Sequence, residues 1–212
     1  MAHELECKIA VDAHEPLIDR LRAAGAKRIG RVREINRLLD TAEQTFFQRG
    51  CGLRVRSVEV LEGDGPGSTL TFKGPVLDSA FKRREEVEIA LPQGRGAEGL
   101  SGRGAEGAKG GGECQSDDSA AGMLRLLAAL GYESWLTFEK VRESWRLDAC
   151  AIELDTVPLI GRFVEIEAPD ESAIRRALDL LGLEPAGSIK TSYAGLLAKR
   201  MEGKPPPWVV RF

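Results

Sequence analysis

The chain has 212 residues, 42% hydrophobic and 30% charged, with a formal net charge of −3, which supplies one sizeable core and excludes a general nucleic-acid binder or an acidic tail protein. Four scattered cysteines (Cys7, Cys51, Cys114, Cys150) without a CxxC pair, and only two histidines (His3, His14), exclude a zinc finger and leave disulfide scaffolds, histidine metal sites and Ser/His triads poorly supplied. No apolar run reaches membrane-spanning length and residues 1–20 lack a signal-peptide core, so a cytoplasmic protein with neither membrane nor nucleic-acid partner is expected.

The first element is "HELECKIAV" at residues 3–11, where Glu4, Glu6 and Lys8 alternate with Leu5, Cys7 and Ile9. Side chains change face at every residue of a strand, so this pattern predicts one charged and one apolar face. "AHEPLIDRLRAAGA" places Leu17, Ile18 and Leu21 at helical spacing and stops at Gly25. "KRIGRVREINRLLD" reads as a strand of weaker alternation, and "TAEQTFFQRG" as a short helix. Three strands follow in "GLRVRSVEV", "STLTFKGPV" and "RREEVEIAL".

Residues 93–118 are dominated by glycine and carry "GRGAEG" twice, at 94–99 and 102–107. Each copy fits G-x-G-x-x-G, yet a dinucleotide site needs a helix to begin at the third glycine, and here more glycine follows. The segment reads as a flexible insertion. A helix resumes at "SAAGMLRLLAALGY", with Met123, Leu126, Leu127 and Leu130 as its expected buried face. Strands "WLTFEKVRESWRL", "CAIELDTV" and "RFVEIEA" come next, then a helix capped by Asp170 with Ile174, Leu178 and Leu181 inward. A last helix begins near "IKTSYAGLLAKRM", and residues 201–212 form a proline-stopped tail with no assigned role.

The later strands repeat the first. Arg54 and Arg56, Lys73, Arg84 with Glu86 and Glu88, Lys140 and Arg142, Glu153 and Asp155, and Glu165 and Glu167 each share one face of a strand whose other face is apolar. Strands disfavour Glu and Lys, so rows of them require compensation. Helices covering the apolar faces would leave the charged faces to converge inside a closed antiparallel barrel. The bases would cradle phosphoryl oxygens and the acids would supply hard oxygen ligands to magnesium or manganese. The bland alternative is a set of structural ion pairs on an open sheet.

At this point "ELECK" resembles the ExExK signature of the CYTH superfamily, the triphosphate tunnel metalloenzymes. "LRVR", "LTFKGP", "KRREEVEI", "FEKVR", "ELDTV" and "GRFVEIEAP" follow in family order. The resemblance implies an α+β fold, an eight-stranded antiparallel tunnel with helices outside. It would be a single domain over residues 1–200, interrupted at 93–118. It implies Glu4, Glu6, Asp155, Glu165 and Glu167 as ligands of Mg2+ or Mn2+. Lys8, Arg54, Arg56, Lys73, Arg84, Lys140, Arg142 and Lys190 would be the contacts to substrate phosphates, with Ser192 beside the last. Where the family often has an aromatic pair before the aspartate of its second long strand, this chain has Leu38 and Leu39 before Asp40.

The expected chemistry is metal-assisted hydrolysis of a triphosphate: inorganic tripolyphosphate, thiamine triphosphate or a nucleoside triphosphate. Glu4, Glu6 and Lys8 would act with Glu86 or Glu88, one of which orients water. The rival readings are a class IV adenylate cyclase, in which the ribose 3′-hydroxyl of ATP attacks the α-phosphorus, and a polyphosphate-binding module without turnover. Fold and motif do not choose among these, and oligomeric state is not legible.

Overall fold

The structure, a computed structural model, describes residues 2–91 and 119–212; the glycine-rich insertion lies outside the described residues. In chain order the elements are β1 (Ala2–Val11), α1 (Glu15–Ala23), β2 (Lys27–Asp40), α2 (Thr45–Gln48), β3 (Gly52–Gly63), β4 (Ser68–Lys73) and β5 (Lys82–Leu91). The second half contains α3 (Ser119–Ala129), β6 (Glu133–Leu147), β7 (Cys150–Val157), β8 (Gly161–Glu167), α4 (Glu171–Leu181), α5 (Tyr193–Arg200) and β9 (Trp208–Val210).

The strands run in the order β2-β3-β4-β5-β1-β8-β7-β6, and β2 also pairs with β6, so the sheet closes on itself. Each of these pairings is antiparallel. Closure removes the free edges that an open sheet of this size would present.

The apolar faces are covered from outside. The helices α1 and α4 set Leu17, Leu21, Ile174, Leu178 and Leu181 against Cys7, Ile9, Ile152, Leu154, Val164 and Ile166 of β1, β7 and β8. Asp170 caps α4 by accepting the Ala173 N–H, and Gly182 ends it in the left-handed conformation at φ +61°. The α3 helix packs over β3 and β4 through Ala120, Met123, Leu124 and Leu127. Leu126 and Leu130, expected on its buried face, are exposed instead. The packed stripe lies three residues earlier, at each position, than the expected one.

The tail joins the sheet. β9 pairs in parallel with Leu136–Phe138 of β6. β7 pairs with β6 only from Val141 onward, so β6 outruns its neighbour and leaves an edge that β9 covers. No helix among the described residues is long and apolar enough to cross a membrane.

Candidate active site

The barrel encloses a cavity of about 830 Å³. Strand register places its charged side chains in opposed pairs: Glu4 faces Arg84 and Glu6 faces Lys82 across β1 and β5, while Lys73 faces Glu86 across β4 and β5. Glu4 accepts both hydrogen bonds of Lys73 Nζ (2.8 and 2.9 Å) and one from Arg84 Nε (3.2 Å). Lys73 also reaches Glu86 at 2.8 Å, and Lys82 is paired with Glu6.

A second network fills the opposite wall. Glu34 of β2 is fully buried and accepts from Arg56 Nη1 (3.2 Å), with Lys140 Nζ at 3.4 Å and Arg142 Nε at 3.9 Å. Asp155, also fully buried, takes Lys140 Nζ (3.1 Å), both Nε and Nη2 of Arg142 (2.7 and 2.6 Å) and the Tyr193 hydroxyl (2.9 Å). Arg142 further donates to Glu165, which stands 3.6 Å from Lys8 Nζ. The ammonium groups of Lys8 and Lys140 lie 4.4 and 5.2 Å from the centre of the Tyr193 ring, so one aromatic ring steadies two lysines. Between the two walls, Glu88 accepts from Arg56 Nη2 (3.1 Å) and the Thr71 hydroxyl (2.9 Å).

Burial disfavours each of these charges, and only their mutual pairing offsets it. Burial alone would raise the Glu34 carboxyl, but Lys140, Arg56, Arg142 and Arg54 outweigh it and hold the group far below the carboxylate range. Burial likewise opposes Glu165, and Arg142 and Lys8 hold it well down. Arg54 is pulled down to about 10 by burial, with Arg56 adding like charge. Glu167 goes the other way: partial burial, then the like charges of Glu4, Glu86 and Glu6, push it up.

The predicted residues Glu4, Glu6, Lys8, Arg54, Arg56, Lys73, Arg84, Glu86, Glu88, Lys140, Arg142, Glu165 and Glu167 all line the cavity. Asp155 sits behind the wall, with both oxygens engaged by Lys140, Arg142 and Tyr193. Lys190 is not brought to the cavity; its Nζ donates to the Ser79 carbonyl at 2.6 Å. Ser192 lines the cavity and caps α5 by accepting the Gly195 N–H. Sequence reasoning missed Glu34, Lys82 and Tyr193. Parity could have found Glu34 and Lys82, which fall in step with Asn36 and Arg84; nothing local marks Tyr193.

Among the described residues no group of three or more His, Cys, Asp or Glu side chains is gathered tightly enough to hold a metal ion. Most cavity carboxylates are neutralised by Lys or Arg. The exception is Glu167, which faces Glu6 across β1 and β8 and feels the like charges of Glu4, Glu86 and Glu6. The Glu167 carboxylate beside those of Glu4 and Glu6 supplies hard oxygen donors that fit a divalent cation in chemistry.

The CYTH domain model matches residues 2–176. The chain belongs to this family. A putative adenylate cyclase of Methanocaldococcus jannaschii is 22% identical over 164 residues, covering 77% of this chain and 75% of that protein. A Pyrococcus horikoshii structure superposes with a TM-score of 0.68 at 22% identity, over 93% of this chain and 99% of that one. A putative adenylate cyclase from Vibrio parahaemolyticus gives 0.65 at 20%, over 92% and 97%. A putative adenylyl cyclase from Hippeastrum, with a dominant triphosphatase activity, gives 0.58 at 15%, over 94% and 95%.

The CYTH cavity has a stability signature in acid. Glu34 and Glu165 have folded values below their ordinary 4.5, so their contribution is complete above about pH 4.5 and is lost as pH falls through and below it. Glu167 and Glu153, both raised, act in the opposite sense, but Glu34 and Glu165 are displaced further. The urea midpoint should therefore fall steadily between pH 5 and pH 3; a midpoint constant over that range would contradict the pairing.

Proposed function

We propose that the cavity binds a linear triphosphate as its divalent-cation complex and hydrolyses it. The observation that carries this reading is the convergence of Lys8, Arg54, Arg56, Lys73, Arg84, Lys140 and Arg142, from five different strands, into one enclosed cavity beside a crowded carboxylate corner. The arginines suit bidentate contact with phosphoryl oxygens, and fixed cations in a water-poor cavity stabilise the charge that shifts as a phosphoanhydride breaks.

Glu4, Glu6 and Glu167 would hold magnesium or manganese, which when bound draws charge from phosphate oxygens and acidifies water. Glu86 or Glu88 would orient the attacking water. Water adds to the terminal phosphorus, the bond to the bridging oxygen breaks, and the shortened polyphosphate carries away the electron pair. Because the cavity pairs its own acids with its own bases, a bare triphosphate would strand the acids; arrival of a cation with the anion restores balance to both.

A second reading, cyclisation of ATP to cyclic AMP and pyrophosphate, is supported by relatives named as putative adenylate cyclases. The Hippeastrum relative, with its dominant triphosphatase activity, supports hydrolysis. Incubation with ATP or tripolyphosphate plus magnesium, followed by separation of products, tests the two. Inorganic phosphate from either substrate is expected; pyrophosphate with cyclic AMP would overturn the hydrolase reading.

A further inference from the structure

Lys8 and Lys140 reach the cavity from β1 and β6, two strands that the barrel keeps apart with β8 and β7 between them. Strand pairing therefore does not bring their ammonium groups together, and like charges repel. Both are buried nonetheless, at 1% and 3% exposed. Both also stand against the same ring, that of Tyr193, at 4.4 and 5.2 Å from its centre.

Carboxylates alone do not account for this placement. Lys140 has Asp155 at 3.1 Å and Glu34 at 3.4 Å, but Glu165 stands 3.6 Å from Lys8 Nζ, longer than a hydrogen bond. An aromatic ring attracts a cation without cancelling its charge, so a lysine held this way keeps its full charge for an incoming anion.

The ring is fixed from several sides. Ser192 caps α5 by accepting the Gly195 N–H at 3.1 Å, which makes Tyr193 the first residue of the helix. Just upstream, the Ile189 N–H donates to the Lys8 carbonyl at 2.7 Å. The segment that carries the ring is thus tied to the very residue whose ammonium the ring holds. Phe163 of β8 meets the ring edge-on at 5.1 Å and 67°, and Leu197 of α5 and Val210 of β9 pack in the same apolar cluster. At the polar end, the Tyr193 hydroxyl donates to Asp155 Oδ2 at 2.9 Å, the oxygen that also takes Lys140 and Arg142. All of this comes from a segment beyond residue 176, where the match to the family model ends.

We propose that Tyr193 is a positioning residue of the phosphate cradle: its ring gathers Lys8 and Lys140 from distant strands, and its hydroxyl locks the Asp155 carboxylate that anchors Lys140 and Arg142. Without the ring, the two ammonium groups would close onto Glu165 and Glu34 and be withdrawn from a ligand. Tyr193 acts through the lysines rather than on the phosphates. The proposal rests on the triphosphate reading of the cavity and deepens it, because a contact to the anion is then built by the C-terminal segment and not by the strands alone.

The test weakens the pull of the ring on cations while keeping its shape. In the full chain, Tyr193 is replaced by phenylalanine and then by mono-, di- and trifluorophenylalanine, since each fluorine drains negative charge from the ring face. Calorimetric titration with tripolyphosphate, with calcium as the cation, reads the affinity. Tyr193→Phe, which keeps the ring, should bind within about threefold of the unaltered chain, and affinity should then fall stepwise by about tenfold at three fluorines. On a Lys8→Met background the same fluorination should cost about threefold or less, because the nearer cation is gone. A packing role alone would move urea midpoints and leave the affinity flat. A flat series, an affinity that rises with fluorination, or the same tenfold loss on the Lys8→Met background would overturn the positioning role while leaving the triphosphate reading standing. Absence of tripolyphosphate binding to the unaltered chain would overturn that reading and the positioning role with it.

Discussion

Replacing Glu34 by alanine should lower folding stability by about 3–5 kcal/mol, because a buried ion pair that loses one partner leaves the other charges uncompensated in a poor solvent. Glu34 is fully buried and stands against Arg56, Lys140 and Arg142 at 3.2, 3.4 and 3.9 Å. Arg56 retains Glu88, and Lys140 and Arg142 retain Asp155, but the wall as a whole becomes one charge more positive. Glu34→Gln keeps the shape and the acceptor oxygen and still removes the charge, so it should lose most of the same stability. Urea unfolding at pH 7 checks both variants; a loss below about 1 kcal/mol in each would show that the network is solvated and contributes little. Added sulfate should recover part of the loss, as an anion entering the cavity replaces the missing charge.

The two acids of the first strand should separate under mutation. Glu4→Gln is expected to lower triphosphate turnover by about 100-fold or more at a smaller cost in stability than Glu6→Gln, since Lys73 keeps Glu86 at 2.8 Å although Arg84 loses the Glu4 carboxylate. Glu6→Gln is expected to lower turnover and also to cost about 3 kcal/mol of stability. Lys82 is 3% exposed, and Glu6 is its ion-pair partner. Burial already pulls the Lys82 ammonium down from its ordinary value, with Glu6 acting against it. Steady-state kinetics beside urea unfolding measures both effects. Full activity in Glu4→Gln would remove Glu4 from the cation site.

The barrel was legible because alternation was clean wherever a helix covers the outer face. In β1, β7 and β8 the outward residues are apolar and the inward ones charged, so parity alone sorted them. β2 was harder for a physical reason: no helix shields much of its outer face, so Arg28, Arg31 and Arg33 point outward and pair with Glu62, Glu143 and Glu59. Charges on both faces hid the inward Glu34 and Asn36. The tail was illegible because β9 is three residues long and exists only where β6 extends past β7, a consequence of register between distant segments. Lys190 and Tyr193 lie three residues apart near one helix start, and only the tyrosine turns inward, to Asp155, while Lys190 donates to the Ser79 carbonyl; composition carries no trace of the difference. Asp40 reads as a cavity acid by parity, yet the loop after β2 folds back over it and consumes its oxygens.

Titration of the chain with tripolyphosphate by calorimetry, with and without magnesium, tests most directly whether the converging charged rows grip a metal–polyphosphate complex. The account predicts one site per chain, tight binding only when the cation is present, and loss of that binding in Glu4→Gln. No binding under either condition, or equal binding with and without magnesium, would contradict it.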